Sequence, residues 1–178
     1  RSVCRRWESL LDDVAALRAH AISLTLVTDP FAEVTQAMLS RTFTDLCREY
    51  KQHYVVALDR GASQSVGEHH RRNIKLGLQK TSVETAEQAS AWLPEWIALY
   101  ENLIHRHHIT GPALFSPESF ALQFAAPGML VARAVCEGSV VGMTVWAVTG
   151  DRAYYHLGAY SERGYEVRAS YAMFSHVF

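Results

Sequence analysis

The sequence predicts an α/β fold in which a mostly antiparallel sheet is flanked by helices. In the first two thirds of the chain, apolar residues repeat every three or four positions over several stretches, which is typical of amphipathic helices. In the last third, three stretches rich in β-branched and aromatic residues are separated by short turns that contain glycine, which is typical of an antiparallel meander. A turn and a further helix follow the third stretch.

Composition and charge restrict the class of protein. Hydrophobic residues make up 49% of the 178 residues and charged residues 20%, which is close to the average for globular proteins. A chain of this length holds one ordinary domain and part of another. With 17 basic and 18 acidic residues the formal net charge is -1. The chain as a whole therefore has no attraction for nucleic acid or anionic membranes, and a polyanion site would have to be local.

The cysteines and the apolar runs indicate the compartment. Cys4, Cys47 and Cys136 lie far apart and form no CxxC pair, so we expect neither a disulfide framework nor a structural zinc site. No apolar run reaches the roughly 20 residues that span a bilayer. These observations predict a protein without a membrane span, located in the reducing cytoplasm.

The chain divides into two predicted parts. Residues 1–60 are interpreted as the end of an upstream half of the protein or as an N-terminal segment, and residues 61–178 as the main domain, truncated at its C-terminus. The first part has helices predicted at 7–19 and 31–49, strands predicted at 21–31 and 53–59, and a loop after it at 61–67. The sequence starts without a methionine and stops inside a predicted helix, so we expect missing N- and C-terminal segments of the same chain.

The main domain begins with helices. A basic helix is predicted over residues 68–80, and its positive charges are Arg71, Arg72, Lys75 and Lys80. A longer helix is predicted over residues 89–108, with Pro94 in its first turn. A break at Gly111 and Pro112 precedes a third helix, which Ser116 caps and Pro117 opens. The repeat of Trp92, Trp96 and Tyr100 every four residues indicates a core stripe.

Three strands follow in the main domain. They are predicted at 129–138, 139–150 and 152–160, with turns at Glu137-Gly138 and Thr149-Gly150-Asp151. Cys136 lies among apolar neighbours in the first of them, so we interpret it as a packing residue. The last helix is predicted to begin near Val167, after a Gly-containing turn.

Four stretches of the main domain resemble a known family. They are "HHRRNIKLGLQK", "WLPEWIALYENLIHRHHITGPALFSPESF", "PGMLVARAVCEGSVVGMTVWAV" and "AYYHLGAYSERGYEVRASYAMF". They resemble the GNAT-like acyltransferase domain of FemAB-type aminoacyltransferases and their acetyltransferase relatives, and they cover most of the chain from His69 to Phe178. Upstream, "TDPF" and "YKQHYVVALD" resemble the segment that precedes this domain in relatives with two such halves. The resemblance implies a GNAT-like (acyl-CoA N-acyltransferase) fold.

The resemblance also implies a place for the acyl donor. The strand at 153–160 would splay from a neighbour and expose backbone groups to the donor arm. The following turn would hold the pyrophosphate of acetyl-CoA or another acyl-CoA, through Arg163, Gly164, Arg168, Ala169 and Ser170. A helix start favours an anion because its N–H groups are unpaired and its dipole is positive there.

This turn departs from the usual GNAT loop, which has two Gly or Ala positions at close spacing. Glu166 would repel a phosphate if it faced inward. FemAB-type relatives commonly lack the full coenzyme A loop and use aminoacyl-tRNA as donor. A plain glycine turn followed by a helix start packed through Ala and Ser stays open as an alternative.

Candidate catalytic residues lie on the third strand and on the last helix. Acyl transfer to an amine needs a neutral nucleophile, stabilisation of the oxyanion and an acid for the leaving group. Imidazole exchanges a proton near neutral pH, so His156 is the candidate acceptor of the amine proton. Tyr155 and Tyr160 are further candidates, although strand tyrosines more often pack. Tyr171 lies about where GNAT enzymes often place a tyrosine as general acid.

Two charged clusters could bind a ligand, but each also has a purely structural explanation. The basic helix could grip tRNA or another phosphate-rich partner, but a solvated helix face explains it as well. His105, His107 and His108 end a predicted helix, where the dipole favours histidine, and they lack a matched carboxylate at ligand spacing. We therefore expect no metal.

The function predicted from these features is acyl transfer. An acyl group, with acetyl as first choice, would move from a thioester donor to the amine of a small molecule or peptide by direct attack, with polarisation by the backbone of residues 156–160. One alternative is FemAB-type aminoacyl transfer from charged tRNA. Another is a non-catalytic GNAT-like module that binds the other half of its protein.

Overall fold

The chain forms two compact units in a computed structural model. The structure describes residues 6–58, 66–86, 88–111 and 114–178. One unit comprises residues 1–56 and the other residues 57–178. Cys4, Asp59, Pro112 and most of the predicted loop at 61–67 lie outside the described residues.

The first unit contains two short helices. A 3-10 turn at Trp7–Ser9 leads into α1 (Leu10–Leu17), as the apolar spacing predicted. Helix α2 (Gln36–Thr42) begins where the Thr35 hydroxyl accepts a hydrogen bond from the Met38 N–H at 3.2 Å. It is much shorter than the helix predicted over 31–49, because the chain enters it only at the Thr35 cap and Phe43 already has non-helical backbone angles, with φ -110° and ψ 84°.

The two strands predicted in the first unit are wrong. Residues 21–31 and the described part of 53–59 contain no strand. Their alternating apolar residues lie largely in solvent: Leu24, Val27 and Val55 expose 45%, 57% and 64% of their surface. A period-two pattern becomes a strand only where a neighbouring strand accepts its hydrogen bonds, and the described part of this unit provides none.

The second unit contains a four-stranded antiparallel sheet. Its strands, in both chain and spatial order, are β1 (Ser82–Thr85), β2 (Met129–Cys136), β3 (Ser139–Thr149) and β4 (Arg152–Tyr160). The three predicted strands are confirmed. Strand β1 was not predicted, because Val83 is the one apolar residue in its four positions. The β2–β3 turn places Glu137 and Gly138 at φ 52° and 77°, as a two-residue hairpin requires.

Five helices flank this sheet in the described residues. They are α3 (Glu68–Leu78), α4 (Leu93–His107), α5 (Pro117–Phe124), α6 (Glu162–Glu166) and α7 (Ala169–Val177). The predicted cap of α5 is confirmed, because the Ser116 hydroxyl accepts from the Ser119 N–H at 3.2 Å. The Gly-containing turn predicted before the last helix is wrong: Ser161 caps a short helix there, so residues 162–166 are helical.

The helices enclose the sheet between two apolar layers. Helices α4 and α5 cover one face, where Trp96 and Tyr100 are buried as predicted. The members of this layer are Ala89, Trp96, Leu99, Tyr100, Phe120, Phe124, Val131, Met143, Val145 and Ala159. Helix α7 covers the other face, where Cys136 is buried among apolar side chains, also as predicted.

Helix α3 packs on α7 and not on the sheet. A Cβ atom on Gly77 would lie 2.8 Å from the carbonyl oxygen of Arg168, so only glycine permits this approach. Arg168 precedes α7 with φ 61°, in the left-handed region. The basic helix predicted from the sequence is confirmed in this place.

Candidate functional site

A bulge in β4 decides which side chains share a face. Val145 of β3 pairs with Leu157, whereas its neighbour Trp146 pairs with Tyr155, so His156 is an extra residue without a counterpart in the register. In an unbroken strand, Tyr155 and Tyr160 would face opposite sides because they lie five positions apart. The bulge brings both to the face covered by α7.

The hydroxyl groups of these two tyrosines form a pair. The Tyr155 and Tyr160 hydroxyl groups are hydrogen-bonded to each other. Gly158 lies beneath them, where a Cβ atom would collide with the Tyr155 oxygen and lie 3.0 Å from the Tyr160 oxygen. The pair therefore depends on a glycine at position 158.

The surroundings keep both tyrosines protonated. Burial raises the pKa of Tyr160 far above its ordinary value of 10.0, and burial also raises the pKa of Tyr155. Tyr155 packs against Trp146 and Phe174, each with ring centroids 5.1 Å away. Tyr155 exposes 46% of its surface and Tyr160 only 9%, so Tyr155 is the member of the pair that a substrate can touch. Two protonated phenols can donate hydrogen bonds or a proton but cannot act as bases near neutral pH.

Tyr160 contacts the ring of Tyr165, which is itself covered by a charged side chain. Its ring lies 5.3 Å from that of Tyr165, centroid to centroid. The Arg106 guanidinium lies 4.1 Å above the centre of the Tyr165 ring and pairs with Glu162 at 2.8 Å. Arg106 belongs to the predicted histidine-rich end of α4, which is thus tied to the segment that follows β4.

His156 lies on the opposite face of β4. Its Nε2 atom is 2.8 Å from the Gln123 Oε1 atom of α5, and its ring centroid is 5.9 Å from that of Phe115. The Gln123 amide nitrogen donates to the Ser119 hydroxyl at 3.1 Å. Tyr155 and His156 thus face opposite sides of the sheet, and the predicted catalytic residues do not form a single cluster.

Tyr171 lies in a third place, a groove between α3 and α7. This groove has a volume of about 1010 Å³. Tyr171 and Ser170 line one side, and His70, Arg71 and Lys75 line the other. The Tyr171 ring is 5.7 Å from the His70 ring, centroid to centroid. The groove combines apolar walls with positive charge at its edge.

Two of the predicted donor-binding residues are engaged elsewhere. Arg163 pairs with Glu166 at 3.1 Å and with Glu137 at 3.4 Å. The Gly164 N–H donates to the Ser161 hydroxyl at 3.1 Å. A Cβ atom on Gly164 would collide with the Val141 carbonyl oxygen, so this glycine lets α6 lie directly on β3.

The other three donor-binding candidates surround the start of α7. The Arg168 carbonyl accepts from the Tyr171 N–H at 3.1 Å, and Arg168 forms no ion pair within the described ranges. Ala169 is fully buried, whereas Ser170 is half-buried in the groove. The predicted binding of a donor by these residues stays a prediction.

Two features are absent from the described part of the chain: a metal-binding cluster and a membrane-spanning helix. No three His, Cys, Asp or Glu residues there lie close enough together to hold a metal ion. His105 and His107 lie in the last turn of α4, and His108 ends that helix with φ 51°. None of the described helices has the length and hydrophobicity needed to cross a bilayer.

Two residues that shape the site, Gly158 and Gln123, were not predicted from the sequence. Gly158 carried a readable signal, because a glycine inside a strand often marks a close approach or a bulge. The signal for Gln123 was weaker. It is a polar residue in the short apolar stretch "FALQF", but its partner His156 is 33 positions away in the sequence.

Comparison with solved structures supports the fold. The chain is similar to the C-terminal domain (DUF2156) of a putative lysylphosphatidylglycerol synthetase from Agrobacterium fabrum, with 15% sequence identity and a TM-score of 0.50. The match covers 62% of this chain and 35% of that one, so the chain spans about a third of its length. The predicted GNAT-like α/β fold, with an antiparallel sheet between helices, is confirmed.

Other matches are weaker. Two structures of an aminoglycoside acetyltransferase from an uncultured soil metagenomic sample, one in complex with sisomicin and one with trehalose, show 15% identity and a TM-score of 0.39. Each match covers 56% of this chain and 72% of that one. No protein-family model matches the chain, and no curated protein matches it.

Proposed function

We propose that the unit of residues 57–178 belongs to an N-acyltransferase that moves an acyl group from a thioester, with acetyl-CoA as first choice, to the primary amine of a small molecule or peptide. The amine nitrogen attacks the thioester carbonyl carbon, the C–S bond breaks, and an amide and a free thiol are formed. One proton leaves the nitrogen and one proton joins the thiolate, so no further reactant is needed.

The observation that carries this proposal is the bulged edge of β4. Among the described strands, none pairs with the outer edge of β4. An extended donor arm can add to such an edge through main-chain hydrogen bonds, as peptides do in strand addition. Backbone N–H groups near the bulge would then polarise the thioester carbonyl and stabilise the oxyanion of the tetrahedral intermediate.

The side chains along this edge suit the two proton transfers. His156 is the proposed acceptor of the proton that leaves the amine. Tyr155, whose raised pKa keeps it protonated, is the proposed hydrogen-bond donor to the leaving sulfur, and Tyr160 orients it. Because His156 and Tyr155 lie on opposite faces, the substrate would lie along the strand edge between them. Tyr171 lines the groove between α3 and α7 and not the edge of β4, so we assign it to donor binding and not to proton transfer.

The start of α7 is the proposed site for the donor phosphates. Arg168 and Ser170 are proposed as the main contacts, and Ala169 as the residue that keeps the helix start close to the sheet. Arg163 and Gly164 are expected to contribute less, because Glu137, Glu166 and Ser161 already engage them.

A thermal-shift titration with acetyl-CoA tests the choice of donor. At about a hundred times its Kd, a bound donor stabilises the folded state by roughly 2.7 kcal/mol, which raises Tm by several degrees. Arg168→Gln should weaken this shift, whereas Arg163→Gln should leave most of it. The absence of any shift with acetyl-CoA and with longer acyl-CoA esters would contradict a coenzyme A donor.

The basic face of α3 favours a second candidate function, aminoacyl transfer from charged tRNA. Arg71, Arg72, Lys75 and Lys80 are exposed and form no ion pair with the described carboxylates. Such a face binds phosphates without reading sequence, and its affinity falls steeply with salt. Binding of charged tRNA that weakens with salt, and that Arg71→Glu abolishes, would favour this candidate over the first.

A further inference from the structure

The groove between α3 and α7 has mostly apolar walls. Its volume is about 1010 Å³, and its apolar side chains are Val66, Ile74, Leu78, Tyr171, Phe174 and Phe178. Two of them are open to solvent, because Leu78 exposes 49% of its surface and Phe178 exposes 43%. A concave apolar patch of this kind on a protein surface is typical of a binding groove.

One rim of this groove is positively charged. Arg71 and Lys75 of α3 line it, and their exposed side chains lie one helical turn apart. Neither forms an ion pair with a described carboxylate. Among the described residues that line the groove there is no aspartate or glutamate. A ligand that complements these walls therefore combines an apolar body with a negative charge.

The size of the groove favours a small molecule over a protein segment. Small-molecule sites have volumes of roughly 300–1,000 Å³, and this groove lies at the upper end of that range. Helix α3 lines the groove from His70 to Leu78, which corresponds to about 12 Å of helix. An extended aliphatic chain that lies along α3 fits this shape.

The position of the two cations favours a carboxylate as the head group. They lie within α3, where backbone N–H groups are already used by the helix: the Arg71 N–H donates to the Gly67 carbonyl at 3.0 Å. Phosphate sites commonly use free backbone N–H groups, which the described part of this rim does not offer. A guanidinium group, by contrast, binds the two oxygens of a carboxylate through its side chain alone.

We propose that the groove between α3 and α7 binds a medium- or long-chain fatty acid, with its aliphatic chain along the apolar walls and its carboxylate on Arg71 and Lys75. The ligand is bound without a chemical change. Phe174 lines the groove and also packs against Tyr155, with ring centroids 5.1 Å apart, but Tyr155 itself does not line the groove. The fatty-acid site is therefore separate from the edge of β4, and it does not rest on the proposed function.

Calorimetric titration of the full chain with fatty acids tests the apolar part of the proposal. The ligands are hexanoate, octanoate, decanoate and dodecanoate, each kept below the concentration at which it forms micelles. We expect one dodecanoate per chain, and a Kd that falls by about tenfold for each added pair of methylene groups that the groove buries. The absence of saturable dodecanoate binding, or a Kd that does not depend on chain length, would overturn the proposal.

A pair of arginine variants tests the charged rim. Arg71→Gln should raise the Kd of dodecanoate about fivefold, the usual upper value for an exposed ion pair. Arg72→Gln is the matched control, because Arg72 is an exposed cation of the same helix that does not line the groove. It should leave the Kd unchanged. Equal effects of the two variants would show that the protein attracts the anion only through its general charge, and would overturn the proposal.

A pair of leucine variants locates the aliphatic chain. Leu78→Asp places a negative charge in the groove and should raise the Kd of dodecanoate at least about tenfold. Leu122→Asp makes the same change on α5, outside the groove, where Leu122 exposes 77% of its surface. Both leucines are exposed, so we expect both variants to keep the wild-type circular dichroism spectrum. Equal Kd values for the two variants would overturn the proposal.

Two further ligands separate the fatty acid from other occupants. Dodecyl phosphate that binds at least about tenfold more tightly than dodecanoate would refute the carboxylate head group. Anionic lipid vesicles that bind the chain when dodecanoate does not would refute a small-molecule site. Because these titrations contain neither thioester nor amine, the proposed acyl transfer can fail while fatty-acid binding is found, and the reverse outcome is equally distinguishable.

Discussion

At the scale of single residues, Gly158 decides whether the Tyr155 and Tyr160 hydroxyls can meet. Its missing side chain leaves the space that both oxygens occupy. Three residues in β4 thus depend on one another: the bulge brings the two tyrosines to one face, and the glycine lets them touch there.

Gly158→Ala should destabilise the protein by about 1–3 kcal/mol, the usual range for an overpacked site. The obstacles are the ends of two side chains, so the tyrosines can move aside at the expense of their hydrogen bond. Urea unfolding measures the loss. Gly67→Ala is the matched control, because a Cβ atom there meets nothing within 4 Å, and it should change stability by less than about 1 kcal/mol. Equal effects of the two substitutions would contradict the packing described.

The protonation of Tyr160 predicts how stability depends on pH. Its pKa is raised by burial, so the folded state retains a proton that the unfolded chain loses above its ordinary pKa of 10.0. The contribution of Tyr160 to the free energy of unfolding is therefore complete below pH 10. Above pH 10 the free energy of unfolding falls by up to about 1.4 kcal/mol per pH unit. Urea unfolding between pH 8 and about 11 measures this loss.

Tyr160→Phe should make the alkaline decline in stability shallower. The exposed Tyr54 provides the control, since Tyr54→Phe removes a phenol that is almost fully in solvent. A decline as steep in Tyr160→Phe as in the wild type would show that Tyr160 does not supply it.

At the scale of secondary structure elements, the contact of α6 with β3 positions everything after the sheet. Gly164 brings the helix against the Val141 carbonyl, and Ser161 both caps the helix and donates to that carbonyl at 3.2 Å. The chain then enters α7 through the left-handed Arg168. A short helix, and not an open glycine loop, therefore connects β4 to α7.

Gly164→Ala should cost about 3 kcal/mol or more, the upper end of the range for overpacking, because the obstacle is a backbone carbonyl that cannot rotate away. The effect should exceed that of Gly158→Ala in the same urea experiment. A loss below 1 kcal/mol would mean that α6 can shift off β3 freely.

Much of this architecture was predictable at the level of elements. Strands β2, β3 and β4 were recognised because they are rich in β-branched and aromatic residues and their hairpins contain glycine, and the Ser116 cap of α5 was recognised because its residues act locally. Strand β1 was not, since Val83 alone carries no period. The alternating residues 21–31 were wrongly predicted as a strand, because partners that lie elsewhere in a chain decide strand formation.

The candidate site was harder to predict for the same physical reason. Tyr155 and Tyr160 could be named from their residue types, but the bulge that brings them to one face depends on the register of β3 against β4. The contact between Gln123 and His156 joins two elements 33 residues apart. Arg163 was expected to bind an anion, but its acidic neighbour Glu137 comes from a distant turn.

At the scale of the whole molecule, charge is distributed unevenly. The formal net charge is -1, yet α3 and the turn after it carry the exposed Arg71, Arg72, Lys75 and Lys80. Any polyanionic donor would meet this face and not the protein as a whole. Whether the proposed donor is an acyl-CoA or charged tRNA is thus expected to depend on phosphate contacts with α3 and with the start of α7.

A transfer assay tests the central claim most directly. The protein is incubated with an acyl-CoA and a panel of small and peptide amines, and the released thiol and the mass of the amide product are measured together. We expect equal amounts of thiol and amide, a kcat lowered about 100-fold or more by His156→Ala, and a wild-type rate for Tyr54→Phe. The absence of amide with every donor and amine, or a wild-type rate for His156→Ala, would contradict acyl transfer at the edge of β4.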